Sequence, residues 1–276
     1  MRVAIIGSNG QLGTDICRLL GENAIKLTID DLNICDIDKT KRILGDLEPE
    51  AIINTAALHD LNKCEEDKRT ALDVNVLGLV GLVSSSNYLN IPIVHISTNY
   101  VFNGEKDSPY IESDKVSPIN YYGTTKALGE VYVSLMANKH FIVRTAGLYG
   151  KSGCMGKDGS NFVDKMIKIG KTGVPIRMNS EETISPTSTE SLARELICLL
   201  ESKKYGLYHT TCRGECSWYE FTKEIFSIKG IECELIESNI SNSLIKRPKN
   251  GVLDCLKFGG LNILPHWKRD LKDYLK

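Results

Sequence analysis

The sequence lacks any apolar run that approaches the roughly 18 residues that a membrane-spanning helix needs. It also lacks an excess of charge, because 34 Lys and Arg stand against 35 Asp and Glu and leave a formal net charge of -1. It has no basic tail, no internal repeat and no low-complexity tract. We therefore expect no contact with a membrane and no electrostatic binding of nucleic acid. With 42% hydrophobic and 25% charged residues, the chain has the composition of a globular protein.

The nine cysteines contain no pair at CxxC spacing, so the sequence predicts reduced thiols rather than a disulfide framework. The chain opens on the apolar segment 2–6 with no charged-then-apolar leader before it, and we expect a cytoplasmic protein. His209, Cys212 and Cys216 would supply part of a zinc site, but a fourth ligand at suitable spacing is missing. We therefore expect no metal.

Short apolar runs alternate with longer amphipathic stretches in the first half of the chain. Strands are predicted over residues 2–6, 24–29, 51–54, 92–96 and 141–144. Helices are predicted over residues 11–20, 37–47, 70–89 and 120–138. Continuously apolar strands that alternate with helices predict an α/β fold of the Rossmann type, a doubly wound parallel sheet covered by helices on both faces.

A glycine-rich turn, Gly7-Ser8-Asn9-Gly10-Gln11-Leu12-Gly13, follows the first strand and opens the first helix. In this GxxGxxG pattern Gly7 permits a tight turn, Gly10 admits a pyrophosphate and Gly13 lets the helix approach the sheet. The amides at the helix N-terminus then face the phosphates. A plain strand-to-helix turn is the alternative, but the position between a strand and a helix favours dinucleotide binding.

Asp30, at the end of the second predicted strand, is placed to bind an adenosine 2′-hydroxyl, which would favour NAD. No arginine stands beside it to bind a 2′-phosphate, although Lys26, Lys39 and Lys41 are near in the chain. The cofactor prediction is therefore NADP(H) or NAD(H). Helix capping is the alternative role for Asp30 and for Asp36.

Beyond Gly150 the pattern loosens. Residues 151–160 are predicted as a loop, 161–170 and 188–200 as helices, 206–209 as a strand, and 217–226 as a helix capped by Ser217. We interpret residues 1–150 as a dinucleotide-binding core and 151–276 as a small C-terminal substrate-binding lobe. The lobe is expected to be partly interleaved with the core in one compact unit.

Tyr122 and Lys126 form a YxxxK motif on a predicted helix, so both side chains lie on one helical face. A nearby ammonium favours the phenolate and is expected to lower the pKa of the tyrosine. The neighbouring Tyr121 has Thr125 four residues on and lacks this partner. Ser97 and Thr98 end the preceding strand and offer a third group, whereas His95 within that strand is interpreted as a core residue.

Segments across nearly the whole chain resemble, in order, the dTDP-4-dehydrorhamnose reductase family of extended short-chain dehydrogenase/reductases. The most specific are ISTNYVFNG at 96–104 and YGTTKALGE at 122–130. The others lie at 54–57, 144–145, 149–150, 161–163, 185–187, 206–209, 217–221, 247–248 and 252–254. The resemblance implies hydride transfer from NAD(P)H to C4 of a nucleotide-linked 4-keto-6-deoxy sugar, with dTDP-4-dehydro-L-rhamnose as the first expectation.

The resemblance also assigns roles to residues. Thr98 and Tyr122 would bind the substrate carbonyl, Tyr122 would give it a proton, and Lys126 would also hold the nicotinamide ribose. Substrate contacts are expected at Thr98, Tyr100, Tyr122, Asn161 and Arg247. Cofactor contacts are expected at Gly7, Asn9, Gly10, Gln11, Leu12, Gly13, Asp30, Asp36, Ile37, Ala56, Ala57, Tyr122 and Lys126.

The sequence departs from the family pattern near the sugar. Asn99 replaces the usual acid of STDY, Ala57-Leu58-His59 stands where an aromatic-threonine pair is usual, and Ala146-Gly147-Leu148 replaces Ser-Trp-Val. The 151–160 loop is also longer than in the plain pattern. These changes leave Thr98, Tyr122 and Lys126 in place, so they put the identity of the sugar in doubt rather than the chemistry.

Two alternatives to the expected reductase stay open. One is a reductase or epimerase that acts on a different nucleotide sugar; a dehydratase is disfavoured, because dehydratases usually carry an acidic pair beside the threonine and Asn99 stands here. The other is a non-catalytic regulatory relative, similar to the beta subunit of methionine adenosyltransferase. The oligomeric state is also open, with a homodimer as one expectation.

Overall fold

The computed structural model describes residues 1–153, 159–239, 245–256 and 264–276. The strands are β1 Val3–Ile6, β2 Ala24–Leu27, β3 Ala51–Asn54, β4 Ile93–Thr98, β5 His140–Thr145, β6 Leu148–Tyr149, β7 Ile176–Asn179, β8 Thr183–Ile184, β9 Thr187–Ser188, β10 Gly206–His209, β11 Cys216–Ser217 and β12 Leu235–Ser238. The α-helices are α1 Gln11–Leu20, α2 Ile37–Leu47, α3 Leu61–Glu66, α4 Lys68–Leu72, α5 Gly78–Tyr88, α6 Tyr121–Met136, α7 Phe162–Gly170, α8 Thr189–Ser202, α9 Trp218–Lys229 and α10 Trp267–Tyr274.

Six strands form the central sheet, in the order β10-β5-β4-β3-β1-β2, and every pair is parallel. From β1 the chain goes first to β2 on one side and then returns to β3 on the other. This reversal is a topological switch point, and α/β proteins bind ligands beyond the carboxyl ends of the strands there. The predicted doubly wound parallel sheet is confirmed.

Helices cover both faces of the sheet. Alternate side chains of β1 point to opposite faces, so Val3 and Ile5 pack with α1 and α8 while Ala4 and Ile6 pack with α2, α5 and α6. All four residues are at most 1% exposed. Burial on two faces explains why the strand sequences are continuously apolar rather than alternating.

Several predicted elements differ in their bounds from the structure, and for two of them the contacts show why. β2 ends at Leu27 rather than at residue 29, because the Asp31 carboxylate accepts hydrogen bonds from the backbone amide and hydroxyl of Thr28 and turns the chain. The predicted helix over 70–89 is α4, a five-residue π turn and α5. The π turn contains buried Asn75, whose amide donates to the Leu58 carbonyl and the Thr125 hydroxyl.

The C-terminal part of the chain contributes both to the central sheet with its covering helices and to a separate group of helices. β10 pairs with β5 at the edge of the central sheet, and α8 packs against α1. Helices α7, α9 and α10 form a separate apolar cluster with Phe221, Trp267 and Leu271 at its centre. Segments after residue 150 therefore form part of the same sheet and helix packing as the segments before it. Residues 154–158 of the predicted 151–160 loop lie outside the described part of the chain. None of the described helices combines the length and the apolar character that crossing a membrane requires.

Candidate active site

The glycine-rich turn lies at the switch point between β1 and β3. Gly7 has a φ of 79°, and a Cβ there would lie 2.9 Å from the Thr55 hydroxyl oxygen. A Cβ on Gly13 would lie 2.2 Å from the Gly7 carbonyl oxygen, so only glycine lets α1 approach the turn this closely. Thr55 in turn donates to the Ile6 carbonyl at 2.8 Å. The turn and the end of β3 are thus packed as one unit.

The N-terminus of α1 offers hydrogen-bond donors at this edge. Gly10 is the N-cap residue, and no side chain among the described residues caps the helix there. Two buried amide groups close to this edge, Nε2 of Gln11 and Nδ2 of Asn54, also have no partner among the described residues. Ala56 and Ala57 follow β3 and are half-buried. Free helix amides and small neighbouring side chains fit a dinucleotide diphosphate.

The predicted adenosine-side residues lie beyond β2. Asp30 is exposed three residues after the strand, and Asp31 rather than Asp30 makes the turn. Asp36 caps α2, because its carboxylate accepts from the Lys39 amide at 3.0 Å, and Ile37 is the first residue of that helix. The capping alternative is therefore realised at Asp36 and not at Asp30, while the nucleotide role of both remains a prediction.

Thr98, Tyr122 and Tyr100 meet at the carboxyl end of β4. Thr98 is the last residue of β4; its hydroxyl donates to Oδ1 of Asn99 at 3.2 Å and also interacts with the Tyr122 phenol. The Tyr100 ring contacts the Tyr122 ring edge-on, with 5.8 Å between centroids. Burial raises the pKa of Tyr122 and the Thr98 hydrogen bond lowers it. A donor phenol that is kept protonated therefore stands beside a hydroxyl at the ligand-binding edge.

Lys126 does not have the partner that we expected. We predicted that it lowers the pKa of Tyr122, but Lys126 is not among the groups that shift it in this structure. The Lys126 ammonium instead lies 3.2 Å from Nε2 of His95. Burial lowers the pKa of Lys126 to about 8, and Glu130 opposes this effect. His95, interpreted from sequence as a core residue, is indeed buried but binds the lysine of the motif.

Two residues that the sequence analysis missed set the position of Tyr122. A Cβ on Gly123 would lie 2.1 Å from the Tyr100 carbonyl oxygen, so glycine at this position lets α6 touch the chain just after β4. Asn120 caps α6 by accepting from the Gly123 amide at 2.8 Å. The signal in the sequence was a helix-capping asparagine followed by a glycine directly after the tyrosine.

Arg247 reaches the site through the segment 245–253, the Arg247 segment. Asn120 donates to the Lys246 carbonyl at 3.0 Å, and Asn99 donates to the Gly251 carbonyl at 3.2 Å. The segment is thereby hydrogen-bonded to residues close to Thr98 and Tyr122. Arg247 is exposed, and its charge lowers the pKa of both Tyr100 and Glu182, which burial raises. The structure thus brings Arg247 to Tyr100.

Asn161 lies apart from this group as the N-cap of α7. Its amide nitrogen donates to the Gly150 carbonyl at 2.7 Å and to Asp164, and its oxygen accepts from the Asp164 amide. The residue is 4% exposed. Because its polar atoms are already used within the protein, Asn161 is a weaker candidate for a substrate contact than Arg247.

Gly147, which stands where the family pattern has tryptophan, is constrained by its backbone. Its φ is 56°, and a Cβ there would lie 3.0 Å from Ile184 and 3.1 Å from Pro186. The absent aromatic side chain therefore does not leave an open space at the Cβ position. Returning a tryptophan would strain the backbone as well as add a ring.

Two of the three residues considered as zinc ligands, His209 and Cys212, make other contacts in the structure. The Cys212 thiol donates to Asp270 at 3.2 Å, and the His209 ring accepts from Arg144. Within the described ranges, no group of three or more His, Cys, Asp or Glu side chains could hold a metal ion.

A doubly wound sheet with a glycine-rich turn at its switch point and a Thr-Tyr pair beyond β4 defines the class of Rossmann-type reductases and epimerases. Within that class, the chain belongs to the family described as RmlD substrate binding domain, which matches residues 1–276.

Individual relatives agree with this family. The chain is 34% identical to the spore coat polysaccharide biosynthesis protein SpsK of Bacillus subtilis, over 100% of this chain and 97% of the relative. A dTDP-4-dehydrorhamnose reductase from Clostridium acetobutylicum is 38% identical with a TM-score of 0.94, covering 100% of this chain and 98% of that one. The dTDP-4-dehydrorhamnose reductase of Bacillus anthracis, solved in complex with NADP, is 32% identical with a TM-score of 0.93, covering 99% and 98%.

Proposed function

We propose that this protein is an NAD(P)H-dependent oxidoreductase that reduces the C4 ketone of a nucleotide-linked 4-keto-6-deoxy sugar. The proposed substrate is dTDP-4-dehydro-L-rhamnose and the product is dTDP-L-rhamnose, a precursor for polysaccharide synthesis. The contact between the Thr98 hydroxyl and the Tyr122 phenol at the carboxyl end of β4 carries the proposal. Family membership and relatives named as reductases of this substrate support it.

The proposed mechanism assigns a role to each residue of the site. The amides at the N-terminus of α1 would hold the diphosphate of NAD(P)H, which when bound would supply the hydride. The hydroxyls of Thr98 and Tyr122 donate hydrogen bonds to the ketone oxygen as it gains negative charge. Tyr122 then transfers its proton to that oxygen. Lys126 holds the cofactor ribose.

The substrate side is proposed to lie along Tyr100 and Arg247. A guanidinium suits diphosphate oxygens because its donors form a fork, and Arg247 is exposed next to the catalytic edge. Asn99 and Asn120 hold the segment that carries it. A different nucleotide-linked 4-keto sugar is the second candidate, and Gly147 in place of the family's tryptophan favours it because an aromatic contact surface is lost.

We expect the enzyme to act in the cytoplasm. A homodimer is a further proposal, supported by Leu128, Val131 and Leu135, which expose 46%, 50% and 76% of their surfaces on one stripe of α6. Light scattering of the purified protein would distinguish a dimer from a monomer.

The decisive experiment follows the oxidation of NADPH and of NADH by the purified protein against a panel of nucleotide-linked 4-keto sugars. We expect turnover with dTDP-4-dehydro-L-rhamnose. Turnover of another 4-keto sugar alone would overturn the named substrate and leave the reductase proposal in place. Cofactor binding without oxidation by any sugar would overturn the enzyme proposal and favour a regulatory role.

A further inference from the structure

His95 and Ser97 occupy alternate positions on β4 and both face α6. On α6, Lys126 and Glu130 stand one turn apart and meet these two residues. The Ser97 hydroxyl contacts the Glu130 carboxylate at 2.5 Å, and the His95 ring contacts the Lys126 ammonium at 3.2 Å. The strand that ends in Thr98 is thus connected to the helix that carries Tyr122 by two polar contacts.

The His95–Lys126 contact is sealed from water. His95 is 1% exposed and Lys126 is 2% exposed. A Cβ on Gly129 would lie 3.3 Å from Nε2 of His95 and 2.9 Å from the Asn75 carbonyl oxygen. Glycine at residue 129 therefore leaves enough space for the His95 ring. The contact is therefore built into the packing of β4 against α6.

The chemistry of the two groups decides the direction of the hydrogen bond. An ammonium has three donors and no acceptor, so Nε2 of His95 accepts and the ring carries its proton on Nδ1. Burial and the Lys126 charge both lower the pKa of His95, which keeps the imidazole neutral. A charged ring would repel Lys126 instead of binding it.

The acceptor matters because Lys126 has a competing partner. Glu130 lies one helical turn away and attracts the ammonium, although Arg144 and Ser97 already occupy its oxygens at 2.9 Å, 2.7 Å and 2.5 Å. With one N–H held by His95, the remaining donors are available to the ribose. Without it, the ammonium is free to turn toward Glu130.

We propose that His95 is a positioning residue, a neutral hydrogen-bond acceptor that fixes the Lys126 ammonium for its work on the cofactor ribose. The inference rests on the proposed function, in which Lys126 has that task. His95 itself touches neither cofactor nor substrate.

The test compares two amide replacements. The Gln side-chain amide reaches the position of Nε2, whereas the shorter Asn amide reaches only that of Nδ1. We expect His95→Asn to lower kcat roughly 10-fold to 100-fold, since a misplacement of about 1 Å can cost that much. It should also weaken NADPH binding several-fold, while His95→Gln stays within about threefold of the wild type on both measures. Equal effects of the two variants would overturn the proposal.

Three controls separate positioning from general damage. His140→Gln replaces a histidine on neighbouring β5, whose ring bonds the Ala137 carbonyl rather than Lys126, and should leave kcat unchanged. Melting temperatures of the Asn and Gln variants are measured together. In a Lys126→Met background, His95→Asn should not weaken NADPH binding further, because its partner is gone; a further loss would contradict the proposal.

The pKa of Lys126, followed by NMR of carbon-13-labelled lysine, needs neither cofactor nor sugar. Loss of the acceptor should lower it in His95→Asn but not in His95→Gln, with Glu130 and Tyr122 as the other ionisable neighbours in both. An unchanged pKa in both variants would overturn the role of His95. Failure of the wild type to reduce any 4-keto sugar would overturn only the proposed function.

Discussion

Burial acts on Tyr122 and Lys126 so that each tends toward its neutral form. It raises the pKa of the phenol and lowers the pKa of the ammonium to about 8. A phenol with a raised pKa holds its proton until negative charge develops on a nearby oxygen. The hydrogen bond from Thr98 works in the other direction and stabilises the phenolate. Desolvation thus keeps Tyr122 protonated, and the interaction with Thr98 favours release of its proton.

Removing the Tyr122 hydroxyl tests the acid directly. Tyr122→Phe keeps the ring against Tyr100 but has no proton to give, so kcat should fall roughly 10²-fold to 10⁴-fold with NADPH affinity little changed. Tyr121→Phe is the matched control, because that phenol lies under Lys68 on the other side of the helix start. Near-full activity of Tyr122→Phe in steady-state assays would show that another group protonates the sugar.

The low pKa of Lys126 makes a prediction about stability. In the folded protein this pKa is about 8, below its value of about 10.4 in an unfolded chain. Between these values the unfolded chain binds more protons, so the cost of burying the ammonium is greatest below pH 8 and declines as pH rises. The stabilisation by Lys126→Met, measured by urea unfolding, should be larger by roughly 2 kcal/mol at pH 7 than at pH 9.5. Equal values would refute the lowered pKa.

At the scale of elements, the site depends on how closely α6 approaches β4. Gly123 touches the backbone after β4, and Gly129 admits the His95 ring. The Ser97–Glu130 hydrogen bond also joins β4 to α6, and the buried Arg144–Glu130 ion pair ties α6 to β5. A shift of α6 would therefore move Tyr122 and Lys126 together, away from Thr98.

Gly123→Ala should expose this dependence. Its methyl group would lie 2.1 Å from the Tyr100 carbonyl, so α6 must move outward and kcat should fall by roughly 10²-fold. Gly45→Ala in α2 is the control, since a Cβ there meets nothing within 4 Å, and it should stabilise the helix by about 0.5–1 kcal/mol. If both variants retain wild-type kcat, the close approach is not needed for catalysis.

At the scale of the whole molecule, Asp270 on α10 joins the C-terminal helices to the rest. Its carboxylate accepts from Tyr149 at 3.0 Å, from the amide and hydroxyl of Ser188 at 2.7 Å and 2.9 Å, and from Ser191 and Cys212. Ser188 is the N-cap residue of α8, which packs on α1 beneath the glycine-rich turn. One buried carboxylate thereby connects α10, α8 and the strand before the 151–160 loop.

Asp270→Asn should lower the free energy of unfolding by roughly 2–4 kcal/mol, because an amide NH₂ would face groups that are themselves donors. Asp273→Asn on the same helix is exposed and takes part only in surface ion pairs, so it should change stability by less than about 0.5 kcal/mol. Denaturant unfolding of both variants measures the difference. Equal effects would mean that the Asp270 hydrogen bonds contribute little.

Sequence patterns determined the features that arise within one stretch of chain. Apolar runs with turn residues between them predicted the strands of the sheet, since both periodicities are local properties of the backbone. The glycine spacing after β1 and the four-residue spacing of Tyr122 and Lys126 are also local. Their meeting at one edge of the sheet follows, because the carboxyl ends of parallel strands lie together.

Only the tertiary structure decided which distant segments meet. No local pattern predicts that His95 is the partner of Lys126 or that the charge of Arg247 acts on Tyr100, because both depend on how α6 and the Arg247 segment pack against β4. Asn161 matched a family motif, yet its amide is used in capping α7. Close approach between elements selects the residues without side chains, Gly123 and Gly129, and it is a property of packing that no local pattern encodes.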